Sequence, residues 1–199
     1  MPTKRAIDEF EQVYPPTRAD WRAWLAANHA TSPGVWVMRY KVSAKQPTIT
    51  YDELVEEALC FGWIDSLPRK LDDERHLLLL TPRKPKSVWS KVNKERLERL
   101  SAANLIEPAG LKAIEIAKAN GSWSAIDESE NLIVPPDLAA ALEQNAAASS
   151  FFYGLANTYK KGILQWILSA KRPETRQKRI EETVAKAAIG KKANYPADQ

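Results

Sequence analysis

Two stretches of this sequence carry side chains that chemistry can use. The first, Phe61-Gly62-Trp63-Ile64-Asp65-Ser66, leaves a helix, turns at a glycine and enters a strand. The second, TPRKPKSVWSKVN at 81–93, leaves a neighbouring strand through a proline loop and enters a helix. Arg83, Lys84 and Lys86 arrive just before Ser87, which reads as the N-cap of a helix running to about Leu100. Free backbone N–H groups and the positive end of the helix dipole stand at such a start, so phosphate or carboxylate is the matching ligand. Ser87, Ser90 and Asn93 add polar groups, and Trp63 and Trp89 offer flat faces to a ring. The candidate site is Trp63, Asp65, Ser66, Arg83, Lys84, Ser87, Trp89, Ser90 and Asn93. Each has a plain structural reading as well: Ser87 as a cap, Trp89 as core, and Asp65 as a partner of Arg83 across adjacent strands. The two readings stay open.

Other chemistry is missing from the sequence. There is no Walker-type loop, no dinucleotide fingerprint and no Gly-x-Ser-x-Gly elbow. Two histidines and one cysteine cannot complete a Cys/His zinc site, so no metal and no cofactor is expected. His29 reads as a cap or surface group, His76 as a half-buried strand residue, and Cys60 as a small buried hydrophobe. An enzyme would need Asp65 as base, Ser66 or Ser90 as nucleophile and Arg83 as anion clamp. Neither stretch holds the histidine that usually activates a serine. The catalytic residues are therefore unknown, and the reading leans away from an enzyme.

The 199 residues are 44% hydrophobic and 27% charged, an ordinary globular balance. A single cysteine excludes an internal disulfide and points to a cytoplasmic setting. No apolar run, Leu77–Leu80 included, is long enough to span a bilayer, and the first residues do not resemble a secretory leader. Net charge is +4, unevenly spread. Residues 83–99 hold seven bases against two acids, and 160–192 hold ten against three, leaving the remainder acidic. Two basic segments can face an anion or merely be solvated helix faces.

The elements that must position these residues follow from period and caps. Thr17 with Asp20, and Thr50 with Glu53, open helices as capping boxes, and Gly62 ends the second helix. Residues 35–41, 63–71 and 75–81 read as strands, with Leu77–Leu80 central because both of its faces are apolar. In the Ser87 helix, Val88, Trp89, Val92, Leu97 and Leu100 face inward. From Pro135 onward the pattern is helical. The fold class is α+β: a small antiparallel or mixed sheet packed with helices, then an all-helical C-terminal region. The expected divisions are 1–122, a linker at 123–136, helices at 137–192 and a frayed tail at 193–199.

The words FGWIDS and TPRKPKSVWSKVN resemble those of the YdeI/OmpD-associated, or bacteriocin-protection, family. WRAWLAANHATSPGVWV, TYDELVEEALCFGWIDS and the C-terminal segment containing AKRPETR add to the likeness. One departure is Ser124-Ala125-Ile126-Asp127, where the family carries an acidic, tyrosine-bearing stretch. The resemblance implies a cytoplasmic bacterial stress-tolerance protein and supplies no reaction. The first functional reading is a pocket for a small anionic or nucleotide-like ligand. The second is nucleic-acid binding through 83–99 and 171–179, with Trp63 or Tyr159 stacking on bases. An enzyme of unknown reaction and a protein partner docked on the C-terminal helices complete the alternatives.

Overall fold

The computed structural model describes residues 6–195. Its contacts divide the chain into two units, residues 1–123 and 124–199. Among the described residues no helix is long and apolar enough to cross a membrane.

The N-terminal unit is an α+β fold on a mixed sheet. Its strands are β1 (Gln12–Val13), β2 (Val35–Tyr40), β3 (Trp63–Lys70) and β4 (Arg75–Pro82), in the order β1-β2-β4-β3. The β1–β2 pair is parallel and the others antiparallel. The central position of β4 explains its four leucines. Leu78 and Leu80 enter the main core, while Leu77 and Leu79 join Trp36 in a second cluster on the opposite face.

Helices α1 (Arg18–Asn28) and α2 (Tyr51–Cys60) both begin with complete capping boxes, at Thr17/Asp20 and Thr50/Glu53. Buried Trp21 ties them together by donating its indole N–H to Leu54 O at 3.0 Å. Below them Glu57, 1% exposed, accepts from Arg18 Nε at 2.6 Å and Arg22 Nη1 at 2.7 Å. A carboxylate this deep needs such partners to remain charged.

Helix α3 (Lys91–Ala102) starts three residues later than its sequence suggests. Ser90, not Ser87, is its N-cap, accepting from Asn93 N at 3.4 Å. Ser87 instead closes a turn, its N–H donating to Lys84 O at 2.9 Å. The later start changes the inward stripe to Asn93, Arg96, Leu97 and Leu100, at helical i, i+3, i+4, i+7 spacing. Val88 and Val92, expected inside, are 40% and 50% exposed. Burial of Trp89 on a non-helical approach decides between the two possible caps.

Helix α4 (Pro108–Ala119) opens with proline in its first turn and packs on the α2–β3 corner. Glu107 N donates to Cys60 O at 3.0 Å. Gly110 sits so close that a Cβ there would lie 2.3 Å from Cys60 O. Gly62, at φ +75°, makes the corner itself.

The C-terminal unit contains α5 (Asp127–Glu130), α6 (Pro136–Glu143), α7 (Ala146–Gly154), α8 (Asn157–Leu168) and α9 (Pro173–Ala188). Leu138, Leu142, Phe152, Ile163, Leu164, Ile167 and Ile180 form its core. Within the segment expected to link the units, Ile126 and Ser129 are buried and α5 is helical, because Ser129 Oγ finds Ile126 O at 2.9 Å. At the expected frayed tail, Ala193 is buried and Tyr195 packs edge-on against Tyr159, so order continues to residue 195. The rest of that tail, 196–199, lies outside the described residues. The AKRPETR word ties helices together through Arg176, which clamps Asp137 by two bonds of 2.6 and 2.9 Å; three residues on, Arg179 donates to Trp166 O and Ser169 Oγ.

Two predictions follow from these contacts. Gly110→Ala will lower unfolding stability by about 1–3 kcal/mol in denaturant titration, because the added methyl meets backbone; in an exposed helix the same change would stabilise by about 1 kcal/mol. Arg176 holds the Asp137 carboxyl below its ordinary range, so its stabilisation is present at neutral pH and is lost as acid protonates it. Asp137→Asn will therefore cost under about 1 kcal/mol at neutral pH. Its deficit will vanish below the carboxylate range in melts recorded against pH.

Candidate anion-binding site

Three segments meet at the α2–β3 corner and leave a pocket of about 160 Å³. The first contributes Gly62. The second is the loop after β4, with Arg83, Lys84, Pro85 and the ring of Trp89. The third is one face of α4, Ala109, Lys112, Ala113 and Ile116, again spaced i, i+3, i+4, i+7. The loop is pinned at both ends. Arg83 N donates to Gly62 O at 2.9 Å, and Pro85 O accepts from Asn120 Nδ2 at 2.7 Å and Ser122 Oγ at 3.2 Å.

Arg83 dominates the pocket. Its guanidinium lies 3.6 Å above the centre of the Trp89 ring, and its Nη2 donates to Val88 O at 2.6 Å. Its Nε and Nη1 are buried without a hydrogen-bond partner. Buried N–H groups on a cation are normally satisfied, and leaving them bare costs free energy. Burial lowers the Arg83 pKa to about 10, against the pull of the Asp65 charge, so the group stays cationic at neutral pH. Lys84 and Lys112 are exposed at the rim, and no acidic side chain lines the pocket. Three cations around an apolar floor form a trap for an oxyanion.

Of the residues singled out in the sequence, Arg83, Lys84 and Trp89 come together here. The others lie elsewhere. Trp63 is 1% exposed and gives its indole N–H to His29 O at 3.2 Å. Asp65 accepts from the Tyr51 hydroxyl at 2.7 Å rather than from Arg83. Ser66 donates to Leu79 O at 3.3 Å. Ser87 is in the turn and Ser90 is the α3 cap. Asn93 Oδ1 accepts from Arg96 Nη1 at 2.9 Å, steering that guanidinium towards Asp52. The Asp65 carboxylate and the Ser66 and Ser90 hydroxyls are thus engaged within the fold. Among the described residues, no group of three or more His, Cys, Asp and Glu is placed to hold a metal ion.

Lys112 escaped the sequence reading. Its signal was the small-residue stripe Ala109/Ala113 flanking a lysine, which reads as a polar helix face until α4 is docked. A second cleft, of about 340 Å³, was also not foreseen. It lies on the other side of Ala109, among Arg22, Ala26, His29, Phe61, Glu107 and Pro108. Cys60, beneath it, is buried and its thiol is pushed up to about 11, so it stays protonated.

Comparison with known families assigns both halves of the chain. Residues 13–113 match a domain of unknown function (DUF8412), and residues 131–190 match the family described as bacteriocin-protection, YdeI or OmpD-associated. The chain belongs to the first family, whose match spans half of it, and residues 131–190 of its C-terminal unit are similar to the second. The words FGWIDS and TPRKPKSVWSKVN and all of the pocket lining but Ile116 fall in the first match, and AKRPETR falls in the second. No curated protein and no solved structure matches the chain.

The Asp65–Tyr51 bond has a measurable signature. Burial, the bond to Asp65 and its charge together raise the Tyr51 phenol to about 12. In Asp65→Asn, Tyr51 will titrate earlier yet still above an ordinary phenol, because burial remains. Absorbance titration of phenolate, with Tyr51→Phe as the blank, checks this.

Proposed function

We propose that the N-terminal unit binds a small anionic ligand, a phosphate or carboxylate compound, in the pocket under Arg83. The observation that carries this reading is the pair of buried, unpartnered nitrogens on Arg83. A cation that stacks on an indole and leaves two N–H groups bare has donors to spare for a guest. Lys84 and Lys112 supply further charge at the rim. The pinned loop supports a preformed site, so little ordering is needed on binding.

The protein is on this reading a cytoplasmic stress-tolerance or bacteriocin-protection factor whose C-terminal unit supplies the family link and whose N-terminal unit senses a ligand. The single reduced cysteine agrees with that compartment. Nucleic-acid binding finds less support, because three guanidinium groups of its two basic segments are already committed to carboxylates. Arg96 pairs with Asp52, Arg99 with Glu56, and Arg176 with Asp137. Each would have to abandon an ion pair to reach a phosphate backbone.

Calorimetry and thermal shift with inorganic phosphate and phosphorylated small molecules test the proposal. The wild-type protein will bind and gain melting temperature with ligand. Arg83→Met will lose about tenfold or more in affinity. Its unliganded melting temperature will be unchanged or higher, since the bare buried N–H groups go with the side chain. An unchanged affinity in Arg83→Met overturns the reading.

A further inference from the structure

The two clefts beside Ala109 are joined in one ligand site: we infer that the ligand is a nucleoside monophosphate with an amine-bearing base, its phosphate under Arg83 and its base in the second cleft. This rests on the anion-binding reading of the first pocket and adds the second subsite.

Size divides the labour. The Arg83 pocket, about 160 Å³, is the smaller of the two and is the one ringed by cations, which suits a phosphate group. The second cleft is about 340 Å³, which suits a planar ring. Ala109 lines both clefts, and beside it the chain is drawn in so closely that a Cβ on Gly62 would lie 2.9 Å from Ala109 O. Along α4, Glu107 in one cleft and Lys112 in the other are five residues apart, about 7.5 Å of axial rise. A sugar can bridge that span.

The second cleft also has a chemical preference. Its apolar surfaces come from Phe61 and Ala26. Its polar groups are acceptors. Arg22, the cation there, is spent on Glu57, Leu105 O and one oxygen of Glu107. The second Glu107 oxygen accepts no other bond, and its side chain is 40% exposed. The His29 ring lies 5.1 Å from Phe61 and donates from Nδ1 to Leu25 O at 2.9 Å, so in the neutral ring Nε2 is the acceptor. Two acceptors beside an apolar floor select a ring that presents N–H donors, as an exocyclic amine does.

Calorimetry with inorganic phosphate, adenosine and adenosine 5′-monophosphate on the full chain tests this. The monophosphate will bind at least about tenfold more tightly than either fragment, because linking the two parts makes the second contact intramolecular. Ala26→Leu, which fills the second cleft from α1 without touching α4, will reduce the monophosphate to the affinity of phosphate while leaving phosphate itself unchanged. A wild-type protein that binds the monophosphate no better than phosphate overturns the bipartite site and leaves the phosphate pocket standing. An advantage retained in Ala26→Leu overturns it too. Phosphate binding that is indifferent to Arg83→Met is the separate failure of the underlying reading.

Discussion

The corner at Cys60–Gly62 is the constraint on which the N-terminal unit depends. Three segments are fastened there by backbone groups alone: Glu107 N on Cys60 O, Arg83 N on Gly62 O, and Gly110 in contact with Cys60 O. Backbone contact leaves no room for a side chain, so glycines occupy both close approaches. Once α4 is docked on the corner, its Ala109–Ile116 face becomes one wall of the Arg83 pocket, and its first turn becomes one wall of the second cleft. The binding surface is a by-product of how tightly three chain segments meet.

Charge is distributed by the same logic. The buried Glu57 is answered by two arginines, and the buried Arg96 by Asn93 and Asp52. These are the ordinary solutions to ions in a low-dielectric interior. Arg83 differs: its charge is supported by the face of Trp89 and one carbonyl, and two nitrogens remain unanswered. The contrast within one domain is what separates Arg83 from the structural ion pairs around it.

The C-terminal unit uses its arginines for architecture. Arg176 fastens α9 to Asp137, and Arg179 fastens it to the end of α8.

By itself the sequence determined the elements whose causes are local. Capping boxes at Thr17 and Thr50, the glycine stop at Gly62, the doubly apolar Leu77–Leu80 and the C-terminal helices are all encoded within a few residues, and so is the α+β class. It also marked Arg83, Lys84 and Trp89. It misjudged Ser87 against Ser90, because both are good caps and the choice turns on burying Trp89. It left Asp65 open between a site role and a pairing with Arg83, where Tyr51 of the preceding helix takes that carboxylate. Lys112 and the second cleft were invisible, because they exist only after α4 packs on a corner nearly fifty residues earlier. Local propensity is read one turn at a time, whereas a pocket is a relation between surfaces that only long-range packing brings together.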